Sequence, residues 1–86
     1  MVIEFKKKAV KVLNQMDRAT KQRIREAIEG LTLTPPKGDI KPMQGYTDGR
    51  YRLRVGQYRV IYRYDRTGAV EILLILDIGA RGDIYK

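Results

Sequence analysis

Between Arg50 and Arg63 the chain alternates charge and bulk residue by residue. Arg50, Arg52 and Arg54 interleave with Tyr51, Leu53 and Val55; Gly56-Gln57 follows; then comes Tyr58-Arg59-Val60-Ile61-Tyr62-Arg63. Side chains of a strand point to opposite faces with period two. A two-residue loop with Gly first is the signature of a type II′ hairpin. Such a loop sets Val55 opposite Tyr58, Arg54 opposite Arg59, Arg52 opposite Ile61 and Arg50 opposite Arg63. The guanidinium groups of Arg50, Arg52, Arg54, Arg59 and Arg63 then share one face. Tyr51, Leu53, Val55, Tyr58, Val60 and Tyr62 share the other. Like charges directly opposite in a sheet are destabilising, so a chain that tolerates them is expected to hold an anion there.

The rest of the composition narrows the chemistry. Eighty-six residues make one domain, expected to bury only about two-thirds of its unfolded surface. The formal charge of +8 and a pI near 10.0 favour a polyanionic partner. With no cysteine, neither a disulfide framework nor a thiolate nucleophile is available. With no histidine, the chain lacks the usual general base and the commonest metal ligand; no cofactor is expected. No apolar segment is long enough to cross a bilayer and no signal peptide is evident, so a soluble cytoplasmic protein without a membrane partner is expected.

Val2-Ile3-Glu4-Phe5 reads as an opening strand. Ala9, Val12, Leu13 and Met16 recur at helical spacing, with Lys6, Lys7, Lys8 and Lys11 on the outer face. Ile24, Ala27, Ile28 and Leu31 repeat that spacing, and Asp17 or Thr20 can cap the second helix. Thr34-Pro35-Pro36 stops it. Pro35 to Gly49 reads as a long loop carrying Lys37, Lys41 and Tyr46. Strands are expected over 50–55, 58–65 and 69–78, with Thr67-Gly68 at the second turn. The last strand is apolar on both faces, which suits a position inside the sheet. The expected fold is therefore α+β, in the order β-α-α-β-β-β. An antiparallel-rich sheet carries a helical hairpin on its tyrosine-rich face and leaves its arginine face open as a cleft.

The run from Gly49 to Tyr62, followed by Asp77-Ile78-Gly79-Ala80-Arg81-Gly82-Asp83-Ile84-Tyr85, resembles the RelE side of the RelE/ParE toxin superfamily. Lys41-Pro42-Met43-Gln44-Gly45 also fits, and the resemblance covers nearly the whole chain. It implies a toxin of a type II toxin–antitoxin pair that enters the ribosomal A site and cuts mRNA. It also implies a cognate antitoxin, expected to be acidic where it crosses the cleft. By position, Arg52, Arg54, Arg59, Arg81 and Tyr85 match the active-site residues of the family. Arg50 and Arg63, with Lys6, Lys7, Lys8 and Lys11, are candidates for contact with mRNA or ribosomal RNA. Two alternatives share the fold: a ParE-like toxin that poisons gyrase, and a degenerate member that only binds antitoxin or RNA.

Metal-free RNA cleavage needs in-line geometry, charge stabilisation of the phosphorane, and proton transfers. Arginine forks supply the second. Arg59 and Arg81 are assigned to the scissile phosphate, and Arg52 and Arg54 to the same phosphate or its neighbours. In the best-known members the positions of Arg52 and Arg54 are often lysines; arginine does not lose its proton, so the base lies elsewhere. Tyr85 is the chosen candidate, either as base or as a stacking partner; Asp77, Asp83, Lys86 and the RNA itself are others. Asp77 and Asp83 are more simply partners of arginines, and Tyr51, Tyr58 and Tyr62 core residues.

Overall fold

A computed structural model describes residues 1–80. The elements are β1 (Val2–Phe5), α1 (Lys7–Asn14), α2 (Arg18–Glu29), a 3-10 turn (Gly30–Thr32), β2 (Asp39–Pro42), β3 (Tyr51–Val55), β4 (Tyr58–Thr67) and β5 (Val70–Ala80). Five strands form one sheet in the order β1-β5-β4-β3-β2. β1 runs parallel to β5; every other neighbouring pair is antiparallel. β5 lies inside the sheet, as its two apolar faces require.

The β3–β4 register matches the alternation in the sequence. Arg54 faces Arg59, Arg52 faces Ile61, and Val55 faces Tyr58. Gly56 takes φ +59°, and among the described residues no non-glycine residue has positive φ. That pair of facts fits a type II′ turn, which needs the left-handed region only at its first central residue.

Both helices pack on the tyrosine face. Ala9 and Leu13 of α1, Ile24 and Ile28 of α2, and Leu31 bury against Leu53, Val60, Tyr62, Leu73, Ile75 and Ile78. Each fully buried aliphatic side chain contributes roughly 1.5–3 kcal/mol. Asp17 caps α2, accepting a hydrogen bond from Thr20 N at 3.3 Å. The rings of Tyr51, Tyr62 and Tyr64 form one cluster, with Tyr51 and Tyr62 stacked at 5.6 Å and Tyr62 and Tyr64 edge-on at 5.7 Å. Burial pushes the Tyr62 phenol far above its ordinary range, and burial also raises Tyr64. The Tyr64 hydroxyl donates to the Leu31 carbonyl at 2.8 Å, tying β4 to the end of the helical layer.

Two expectations are corrected. The segment 35–49 is not all loop: Asp39-Ile40-Lys41-Pro42 pairs with β3 as an edge strand. Pro42 argues against a strand in the interior of a sheet, but an edge tolerates its missing N–H. Gly38 seats this edge. Its φ is +135°, and a Cβ there would stand 2.6 Å from Leu53 Cδ1, so only glycine lets β2 approach the core. Second, the arginine face is not bare. Ile61 and Leu74, whose neighbours in register are Arg52 and Arg63, are 3% and 6% exposed. Among the described residues, Asp77 pairs with Lys8 Nζ at 3.2 Å. A register shift between Ile61 and Tyr62 gives β5 one extra residue, so Ile78 rather than Asp77 follows Leu73 and Ile75 into the core.

Candidate functional site

The arginines of the hairpin divide into two groups. Arg52, Arg54 and Arg59 line one cleft of about 710 Å³, walled by Lys41, Met43, Gln44 and Tyr46 among others. Arg54 and Arg59 stand directly across from each other on β3 and β4, and Lys41 is directly across from Arg52 on β2. The cleft therefore draws cations from three adjacent strands. Arg52 is 8% exposed and the Arg54 side chain 54%. Asp39, paired with Arg54 in register, accepts from Arg54 Nε at 2.8 Å and lies 3.7 Å from Arg52 Nη1. One carboxylate thus fixes two of the guanidinium groups.

Arg50 and Arg63 form the second group, outside the cleft lining. Arg50 Nε and Nη2 fork onto Asp48 at 2.9 and 2.6 Å. Arg63 Nε is 3.9 Å from the same carboxylate, and Arg63 Nη1 is 3.6 Å from Asp65. The hydrogen bonds from Arg50 hold the Asp48 carboxyl below the usual carboxylate range, and the same contact raises Arg50. The Arg50 guanidinium also lies over the Tyr46 ring, 4.3 Å from its centroid. These two arginines brace the wall of the cleft.

Lys6, Lys7, Lys8 and Lys11 are exposed along α1, away from the cleft lining, and Lys8 is held by Asp77. Arg81, Tyr85 and Asp83 lie outside the described residues. The sequence pattern singles out the arginines but not Asp39 and Asp48, which orient them, nor Lys41 and Tyr46 as wall residues. The available signals were weak: a four-residue alternation ending in proline, and a carboxylate two residues before an arginine.

A family model described as the ParE toxin of type II toxin–antitoxin systems, parDE, matches residues 3–85. The chain belongs to the RelE/ParE toxin superfamily. Among solved structures, the RelB–RelE antitoxin–toxin complex from Methanococcus jannaschii has a toxin-like match at 30% identity and TM-score 0.67, covering 94% of this chain and 93% of that one. The archaeal RelE–RelB complex from Pyrococcus horikoshii OT3 matches at 29% identity and TM-score 0.66, covering 95% and 96%. The YoeB/ParE toxin from Agrobacterium tumefaciens shares the fold at TM-score 0.78 and 18% identity, covering 94% and 99%. A search of curated proteins gives no match. As a type II toxin with a RelE-like α+β fold, the chain carries its cationic cleft on the sheet face opposite the helices. Among its described residues, no helix is long and apolar enough to cross a membrane.

Proposed function

We propose that this toxin is a ribosome-dependent endoribonuclease that cleaves mRNA in the A site. The observation that carries the proposal is the convergence of Arg52, Arg54 and Arg59 on one cleft. In the reaction the ribose 2′-oxygen bonds to the adjacent phosphorus and the bond from phosphorus to the 5′-oxygen breaks. The products are a 2′,3′-cyclic phosphate and a 5′-hydroxyl; the proton lost at the 2′-oxygen is matched by one gained at the leaving oxygen. Arg59, with Arg81 beyond the described residues, is assigned to the scissile phosphate, and Arg54 and Arg52 to that phosphate or its neighbour. Preorganised donors aimed at developing charge are each worth about 3–4 kcal/mol. Asp39 supports them by orienting Arg54. Tyr85 serves as general base or stacks on a splayed base, and the ribosome supplies substrate alignment.

Lys6, Lys7, Lys8 and Lys11 are assigned to ribosomal RNA phosphates. α1 begins at Lys7 without a side-chain cap or an acidic first turn; Asp77 meets Lys8 there, and Lys6, Lys7 and Lys11 are exposed to further anions. The partner in the resting state is an acidic antitoxin crossing the same positive field, as the complexes of similar toxins suggest. Co-purification that survives Arg52→Glu with Arg59→Glu unchanged would argue against contact at the cleft.

One observation favours a second reading: the matching family model is the ParE branch, which implies gyrase poisoning. Induction separates the two. The nuclease cuts mRNA within codons on ribosomes and arrests translation, and Arg59→Ala relieves the arrest. Gyrase poisoning gives DNA breaks while translation continues at first.

A further inference from the structure

We infer that Tyr46 is a nucleobase-stacking residue of the cleft, braced from behind by Arg50 and Asp48. The inference rests on the RNA-binding reading of the same cleft and adds how a base beside the held phosphate is received. Tyr46 lines the cleft with Arg52, Arg54 and Arg59 and is 44% exposed. An exposed phenol ring on a surface turn has little reason to be rigid. This one is held: the Arg50 guanidinium covers it at 4.3 Å from the ring centroid.

Arg50 is itself fixed. Its fork onto Asp48 uses Nε and Nη2 and leaves its planar face for the ring. Arg63 from β4 approaches the same carboxylate at 3.9 Å. The chain of contacts therefore runs from the sheet through Arg63, Asp48 and Arg50 to the ring. Stacking of a base on an aromatic side chain is worth about 1–3 kcal/mol because every base has a π-face. A ring already sandwiched on one side by a cation loses less freedom when a base adds to the other. Phosphate-binding guanidiniums beside a fixed aromatic plane match a single-stranded, unstacked ribonucleotide, the form in which RNA bases are commonly recognised.

The test uses the full chain and a 2′-O-methylated single-stranded RNA hexamer, which resists cleavage, with 2-aminopurine placed at each position in turn. For the wild type, fluorescence is quenched at one position. Tyr46→Ala abolishes that quenching and weakens binding about 5- to 150-fold; Tyr46→Phe restores most of both. Asp48→Asn lessens the quenching by loosening the brace. A hexamer abasic at that position binds the wild type and Tyr46→Ala equally. Stacking is overturned if no position is quenched, or if Tyr46→Ala weakens the abasic hexamer as much as the intact one. It is also overturned if only antitoxin binding responds to Tyr46→Ala. The nuclease proposal fails separately: if quenching follows Tyr46 while ribosome-bound mRNA stays intact, stacking stands and cleavage falls. If ribosomal mRNA is cut while no hexamer position is quenched through Tyr46, cleavage stands and stacking falls.

Discussion

Arg52, Arg54 and Arg59 look much like Arg50 and Arg63 in sequence, one alternation apart on the same face. Their surroundings separate them. The first three line a cleft. The other two converge on Asp48, and Arg50 lies over Tyr46. Position on a strand face decides which way a guanidinium points, but the neighbouring carboxylate decides where it is held: Asp39 fixes Arg54 in the cleft lining, and Asp48 fixes Arg50 over Tyr46. One arginine group serves as the proposed anion site, and the other holds the wall beside it.

The largest expected effect breaks the comparison directly. Arg59→Ala and Arg54→Ala each lower ribosome-dependent cleavage about 10²–10³-fold, the loss typical of one preorganised donor. Arg63→Ala, acting through the brace, costs no more than about tenfold. Equal losses from both groups in a single-turnover assay would erase the distinction.

Next comes the edge strand that closes the cleft. Gly38→Ala forces a Cβ against Leu53 at a φ unfavourable for other residues. It should destabilise the fold by about 2–4 kcal/mol, read by urea unfolding. A neutral result would mean that β2 does not sit on Leu53 as described.

On the opposite face, Tyr64→Phe removes the donor to the Leu31 carbonyl and should cost about 1 kcal/mol while leaving cleavage intact. This sharpens the contrast between a face that holds the fold and a face that holds the ligand.

The smallest effect concerns pH. The Asp48 carboxyl is held below its ordinary value, chiefly by its hydrogen bonds to Arg50. A lowered folded-state pKa stabilises above the unfolded value of about 3.9 and is lost as pH falls through the folded value. Thermal melts across the acid range should therefore show a shallower decline for Asp48→Asn than for the wild type. Parallel curves would mean that the Asp48–Arg50 fork is not maintained in solution.

Much of this molecule was legible in the chain. Period-two alternation around Gly56-Gln57 set both register and faces, because a slip of one residue would have buried arginines. Helical spacing of Ile24, Ala27, Ile28 and Leu31 marked the covering layer. β2 was hidden because four residues with one apolar side chain and a proline carry little signal by themselves; Leu53, distant in sequence, and Gly38, just before the strand, make it one. The extra residue in β5 was hidden for a related reason. Ile72 to Leu76 are apolar without alternation, and only the pairing with β4 shows that Ile78 takes the core position. The division of the arginines depends on Asp39, whose partner is set by the β2–β3 register, and on Asp48, placed by the turn before β3.

The most direct test maps mRNA 5′ ends after brief induction of the wild type and of Arg59→Ala in parallel. Cuts within codons, confined to translated messages and absent with Arg59→Ala, are the predicted result. Intact messages alongside broken DNA would contradict the nuclease proposal and favour the gyrase alternative.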